Sequence, residues 1–254
     1  MINKITKHDR SDYGIIIQCR TGSTRFPGKV LADICGQPML LRQLRRLQKL
    51  SGISKLIVAT SDNPGDDAIE ELCRQNNFNC FRGPLNDVMN RFILCAHKFG
   101  VRYIIRVGGD DPLIDPECCN YLMSLHLREP YDFMYASNRE GWPYGCAAEL
   151  IALKALELIH SKTEDPLYLE HTIPYFFSPQ NEFRVFKVKA PLHINRPDYY
   201  FTVDYPEDLQ LVRAVFEKLR KEGDYFPFRK VIELVDQDKA LTMINKHLHT
   251  GFDK

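Results

Sequence analysis

The sequence predicts an α/β protein with a mostly parallel central sheet and helices on both faces. Three observations carry this reading. Short β-rich apolar runs alternate with amphipathic helical patterns through the first half of the chain. The runs are apolar nearly throughout, as strands buried on both faces are. Helix-start signals, Asp62-Asn63-Pro64 and Asp115-Pro116, fall between them.

In order, GIIIQ (14–18), KLIVAT (55–60), NCFRG (79–83) and YIIRV (103–107) read as buried strands bounded by turn residues. PMLLRQLRRLQKL (38–50), DDAIEELCRQNN (66–77) and DVMNRFILCAHKFG (87–100) carry apolar residues at three- and four-residue spacing, the mark of amphipathic helices, and a fourth helix begins at Asp115-Pro116. The second half is less regular. DFMYASN (132–138) and AAELIAL (147–153) read as strands, KALELIHSK (154–162) as a helix, and LYLEHTIPYFF (167–177) as a short aromatic helix. FRVFKVKA (183–190) and YFTVD (200–204) read as strands. A strong amphipathic helix spans 206–223, with proline at its start and glycine at its end, and a final helix covers about 229–248. With no internal repeat and no low-complexity linker, the expectation is one domain over 1–254 with an inserted segment near 135–195.

Composition narrows the function. Of 254 residues, 44% are hydrophobic and 26% charged, enough apolar side chain for a sizeable core. A formal net charge of +1 gives no global reason to expect nucleic acid or an anionic membrane as partner. Charge is uneven, however: Gly14 to Leu50 holds seven cations against Asp33 alone. Those from Arg42 to Lys49 fit a solvated basic helix face as well as a functional patch. The eight cysteines form no Cys-x-x-Cys pair and the histidines show no zinc-finger spacing, so free buried thiols are expected rather than a structural zinc site. The polar start MINKITKHDRSDYG lacks a signal-peptide core, and no run approaches the roughly 20 apolar residues of a membrane span. The expectation is a soluble, reduced, cytoplasmic protein.

The chemistry gathers after the first strand, in QCRTGSTRFPGKV (18–30). A Walker A loop is excluded on two counts. Five residues separate Gly22 from Gly28 where four are needed, and Val30 stands where a magnesium-binding hydroxyl belongs. A G-x-G-x-x-G fingerprint is absent too. What remains is a longer cationic loop: Arg20, Ser23, Thr24, Arg25 and Lys29, with Gly22 and Gly28 for backbone freedom. A triphosphate carries about four negative charges, which suits arginine forks and a lysine point charge. The alternative is a surface loop that is merely basic. A second cluster, VGGDDPLID (107–115), puts Asp110 and Asp111 at another strand end, and Asp204 ends a third. Together they describe a site for Mg²⁺ and a polyphosphate. Taken singly, Asp110 and Asp111 fit a turn before Pro112, and Asp204 fits a helix cap before Pro206.

Six ordered blocks resemble the cytidylyltransferases of the spore-coat-polysaccharide type, relatives of 3-deoxy-manno-octulosonate and acylneuraminate cytidylyltransferases. They are IIIQCRTGSTRFPGKVL, VATSDNPGDDAIEELC, CFRGPLNDVMNRF, IIRVGGDDPLIDP, LEHTIPYFF and RPDYYFTVDYPEDLQLV, spread over about residues 14 to 220. The resemblance implies a Rossmann-like nucleotide-diphosphosugar transferase fold of three layers, whose inserted segment serves acceptor binding and dimerisation. It implies transfer of CMP from CTP to a sugar, sugar acid or sugar phosphate, with pyrophosphate released. By the same resemblance, Gln18, Arg20, Gly22, Ser23, Thr24, Arg25 and Lys29 serve the triphosphate end of the nucleotide. Arg82, Gly83 and Asp87 lie by the base and ribose. Asp110 and Asp204 hold Mg²⁺, with Asp111 as second choice, and Arg25 and Lys29 join them in catalysis. Asn138, Tyr144, Glu149, Glu170, His171 and Tyr200 face the acceptor, although His171 fits a packed aromatic core equally well. Partners are CTP and a sugar-type acceptor, and the chain is expected to be a homodimer.

The sequence departs from the family on the acceptor side. Many relatives carry Pro-Asp-Gly-Leu-Asp-x-Glu where this chain has Pro143-Tyr144-Gly145-Cys146-Ala147-Ala148-Glu149, and Tyr200 stands where an arginine is common. An unusual acceptor is therefore expected. Two rivals stay open: use of UTP, GTP or ATP, and a catalytically silent nucleotide sensor or scaffold on the same fold.

Overall fold

The computed structural model describes residues 9–53, 55–220 and 225–249. Its centre is a seven-stranded sheet. β1 (Tyr13–Gln18), β4 (Leu56–Ser61), β5 (Asn79–Gly83) and β6 (Tyr103–Gly108) are the four predicted strands of the first half. Between β1 and β4 lie a small hairpin, β2 (Asp33–Ile34) with β3 (Gln37–Pro38), and helix α1 (Met39–Leu47). α2 (Asp67–Gln75) follows β4, α3 (Val88–Phe99) follows β5, and α4 (Pro116–Arg128) follows β6. The remaining strands are β7 (Phe133–Tyr135), β8 (Glu149–Ala152) and β9 (Val185–Lys187). The sheet order is β5-β4-β1-β6-β8-β7-β9, parallel from β5 to β6, with β8 antiparallel to both of its neighbours and β9 parallel to β7.

The continuous apolar runs are explained by two cores. Successive side chains of a strand point to opposite faces, so Ile15 and Ile17 enter one core and Ile16 the other. The larger core takes α1, α4, α7 (Pro206–Leu219) and α8 (Phe228–Gln237), and the smaller takes α3 and α5 (Leu153–Lys162). This is the three-layer arrangement the alternation predicts. The start signals work as expected. Asn63 accepts from Gly65 N at 2.8 Å ahead of α2, and Asp115 accepts from Glu117 N at 3.1 Å at the head of α4.

Several boundaries differ from the expectation. YFTVD is not a strand. Tyr144 brackets it with two backbone bonds, to Tyr199 O and from Phe201 N, but Val203 N turns to Asp110 O, so no ladder continues. The aromatic stretch 167–177 breaks in two, α6 (Pro166–Glu170) and a 3₁₀ turn at Pro174–Phe177, because Pro174 has no N–H to carry a helix through. The final helix stops at Gln237, where Asp236 to Lys239 offer no apolar residue to extend the buried stripe. α9 (Ala240–Met243) and a 3₁₀ turn at Lys246–Leu248 follow. Gly223, the expected stop of the 206–223 helix, lies outside the described residues, as does most of the polar start. Nor is α1 a solvated basic face throughout: Arg42 and Arg46 are buried. They donate to the carbonyls of Ile34 and Cys35, and of Ile114 and Phe226, and so tie the helix to distant loops.

Candidate active site

The loop after β1 and the loop after β6 meet at the carboxyl end of the sheet, where open α/β sheets bind ligands. They enclose a cleft of about 300 Å³ lined by Gln18, Arg20, Gly22, Ser23, Thr24, Arg25, Lys29 and Asp110, with His171 at its rim. Two glycines make the approach possible. Gly28 sits at φ 72°, a left-handed turn that delivers Lys29 into a 3₁₀ turn, Lys29–Leu31. At Gly109 a Cβ would lie 2.3 Å from Cys19 Cβ, so a side chain there would force the two strand ends apart.

Lys29 is the hinge of the electrostatics. Its buried ammonium donates to Asp110 Oδ2 at 2.7 Å, to Asp204 Oδ1 at 3.0 Å and to the carbonyl of Val203 at 2.7 Å. Burial alone would lower its pKa, but Asp110 and then Asp204 outweigh burial, and the pKa stands above the ordinary lysine value. Arg25 adds a second bond to Asp204 Oδ1 at 2.9 Å, and Tyr200 donates its phenol to Asp204 Oδ2 at 3.0 Å. Burial and the neighbouring Asp204 push that phenol's pKa up, so it remains a neutral donor. Asp111 is different: Thr202 donates to it at 2.8 Å, and burial beside Asp110 pushes its pKa well above the carboxylate range.

The other proposed site residues divide by position. Glu170 reaches the cleft through Arg20 (3.1 Å), and Glu149 through Arg106 (3.1 Å), which also donates to Gln18 Oε1 at 3.0 Å. Burial raises the Glu149 pKa and Arg106 opposes it. Tyr144 packs its ring 4.7 Å from that of Tyr200. Arg82 and Asp87 have partners away from the cleft lining. The Arg82 guanidinium donates to Asp67 (2.6 Å) and Glu70 (3.0 Å) on α2 and to the carbonyls of Ser61 and Asn63. Asp87 caps α3 through Asn90 N and meets His160 at 2.8 Å. Gly83 closes β5, and Asn138 lines a separate concavity with Lys187 and Lys189.

Three residues that the motifs passed over support the site. Asp66 accepts the backbone N–H and hydroxyl of Thr21 at 2.7 and 2.8 Å, and both donors of Ser61, so it clamps the start of the loop. Its burial pushes the pKa up, but the Ser61 and Thr21 hydrogen bonds prevail and hold it below the usual value. Arg106 was visible only as a charge inside an apolar strand run. Asp208 accepts the backbone N–H groups of Asp204 and Tyr205 at 2.9 and 2.8 Å at the start of α7.

Among the described residues, no group of three or more His, Cys, Asp or Glu side chains is placed to hold a metal ion by itself. Mg²⁺ needs only one or two protein carboxylates, and Asp110 and Asp204, both paired with the Lys29 ammonium, are the residues that would hold it.

The fold that carries this cationic loop at the head of its parallel sheet, with paired carboxylates opposite, is that of the nucleotide-diphosphosugar transferases. The cytidylyltransferase family model matches residues 14–246, and the chain belongs to that family of CTP-dependent nucleotidyltransferases. It is 29% identical over 242 residues to the spore coat polysaccharide biosynthesis protein SpsF of Bacillus subtilis (strain 168), covering 93% of this chain and 95% of that one. It is also 29% identical over 178 residues to the 8-amino-3,8-dideoxy-manno-octulosonate cytidylyltransferase of Shewanella amazonensis, covering 68% and 70%. A solved cytidylyltransferase of Leptospira borgpetersenii superposes with a TM-score of 0.86 at 26% identity, over 91% of this chain and 97% of its own. No helix among the described residues is long and apolar enough to cross a membrane.

Proposed function

We propose that this protein transfers CMP from CTP to a sugar-type acceptor, with Mg²⁺, in the synthesis of a surface polysaccharide or glycoconjugate. The observation that carries the reading is Lys29 bridging Asp110 and Asp204 beneath the Gly22–Lys29 loop. An acceptor oxygen attacks the α-phosphorus in line, the bond from that phosphorus to the α,β-bridging oxygen breaks, and pyrophosphate leaves. The proton of a hydroxyl acceptor passes to water. Arg20, Arg25 and Lys29 bind the phosphates, and the backbone of the loop orients them. As charge builds on the leaving oxygens, Lys29 and Arg25 stabilise it from positions already fixed by Asp110 and Asp204. Asp110 and Asp204 would hold Mg²⁺, which would supply further neutralisation of phosphate charge. No covalent enzyme intermediate is needed, and the buried cysteines have no part in the step.

The acceptor is less polar, or differently charged, than the sugar acids of the relatives. The Tyr144–Tyr200 ring pair supports this, because it occupies the positions where the family's acidic residue and arginine stand. Turnover of octulosonates or nonulosonates at ordinary family rates would contradict it. The protein works in the cytoplasm as a homodimer through its inserted segment, where Leu167, Phe177 and Phe186 are exposed. Light scattering at a monomeric mass would overturn the dimer. The test of the function is pyrophosphate release with four nucleotides against a panel of sugars, sugar acids and sugar phosphates. CTP with one acceptor class is expected to give release. Release only with UTP, GTP or ATP would replace CTP, and CTP binding with no release for any pair would make the protein a sensor.

A further inference from the structure

The strongest unassigned arrangement is the contact of the chain's last described turn with the catalytic aspartate's supports. His249 lies face to face on Tyr200, ring centroids 3.4 Å apart and planes within 12°. Its Nε2 donates to Asp208 Oδ1 at 2.7 Å. Asn245 donates to the same Asp208 oxygen at 2.8 Å and to the carbonyl of Tyr200 at 3.0 Å. The two residues held in this way are the ones that hold Asp204. Tyr200 binds its carboxylate and Asp208 binds its backbone N–H. His249 and Asn245 are 45 and 41 residues beyond Asp204, so this is a tertiary clasp rather than local capping.

We propose that His249, with Asn245, is a positioning residue for Asp204, fixing its carboxylate through Tyr200 and its backbone through Asp208. The inference rests on Asp204 being a cation- and phosphate-facing carboxylate, as in the proposed function. Physically, a carboxylate that must serve Lys29, Arg25 and a metal ion has several competing orientations. Tyr200 selects one by occupying Oδ2, and it can do so only while its own ring is held. The stacked imidazole supplies that restraint without touching the substrate. Both halves of the clasp are well buried: Asp208 is fully so, and the His249 side chain is 8% exposed.

The test uses the full chain and Mn²⁺ as the metal probe. Free Mn²⁺ is followed by electron paramagnetic resonance in the presence of CTP, beside initial rates over a Mg²⁺ titration. His249→Ala is expected to raise the half-saturating metal concentration and to lower kcat, each by about tenfold, as loss of an outer-shell partner does. KM for CTP at saturating metal should stay within about twofold, since the phosphate grip is untouched. Tyr200→Phe keeps the stack, loses the bond to Asp204, and should reproduce the metal shift. His249→Gln keeps a donor for Asp208 and should fall between. A merely structural His249 would lower thermal stability and folded fraction while leaving the metal midpoint in place. An unchanged midpoint in folded His249→Ala overturns the proposal. If that variant fails to fold, an unchanged midpoint in both Tyr200→Phe and His249→Gln overturns it. Wild-type protein that binds Mn²⁺ with CTP but turns nothing over would remove the proposed function while the midpoints still judge the clasp. Wild-type protein that binds no Mn²⁺ with CTP would overturn both.

Discussion

Lys29 and Asp66 show how single side chains set up the cleft. Lys29 keeps two carboxylates within reach of one another that would otherwise repel, and it lines the cleft. Lys29→Ala and Asp204→Ala are each expected to lower kcat by at least about 100-fold, the scale of losing a preorganised charge at a reacting centre. Far-ultraviolet circular dichroism should remain native in both, and turnover within twofold of wild type in either would remove these residues from catalysis. Asp66 works through stability instead. Its pKa is depressed in the folded state, so its contribution is complete above the unfolded value of about 4 and fades as the pH falls through the folded value. Asp66→Asn puts an N–H against the Ser61 or Thr21 donors and should cost about 1–3 kcal/mol at neutral pH. In urea melts, the gap between wild type and variant should narrow below about pH 4. A gap that is constant with pH would mean the carboxylate's charge is not what holds the loop.

The elements of the parallel half were legible because strands buried on both faces leave an unbroken apolar signal, and proline and asparagine mark the helix starts. YFTVD carried the same apolar signal and misled, because its hydrogen bonds go to Tyr144 and Asp110 rather than to a neighbouring strand. Sequence spacing does not record where a backbone donor finds its acceptor. Arg46 misled in the same way. Within α1 it reads as one more cation of a basic face, but its acceptors are carbonyls 68 and 180 residues away. Arg82 raises the same question at the edge of the sheet, where β5 meets α2. The guanidinium is spent on Asp67 and Glu70, both well exposed. Arg82→Ala should therefore cost about 1–2 kcal/mol: the exposed ion pairs contribute up to about 1, and the bonds to the Ser61 and Asn63 carbonyls add to it. It should leave KM for CTP within about twofold. A KM raised about tenfold or more would place Arg82 at the nucleotide after all, with its α2 partners exchanged on binding.

At the scale of the whole molecule, the fold was the most legible part, together with the meeting of the cationic loop and Asp110 in one cleft. The cationic loop is contiguous in sequence and Asp110 follows β6 directly, whereas Asp204 reaches it from an irregular segment through the Val203 N–H to Asp110 O bond. The supports were not legible. Asp66 looks like an ordinary first-turn acid of a helix, and Asp208 like a first-turn acid of α7. Each acquires its role from residues that only folding delivers: Thr21 to Asp66, and Asn245 to Asp208. The Tyr144–Tyr200 ring pair was legible as a departure from the family pattern, without naming what it departs toward. Under the proposed function, the loop, Lys29 and the two aspartates together activate CTP toward a sugar-type acceptor. The most direct measurement is pyrophosphate release from CTP and Mg²⁺ across the acceptor panel, run with Lys29→Ala as control. Release is expected with at least one sugar-type acceptor, and it should depend on both CTP and Lys29. No release from any acceptor, or release that survives Lys29→Ala, would contradict it.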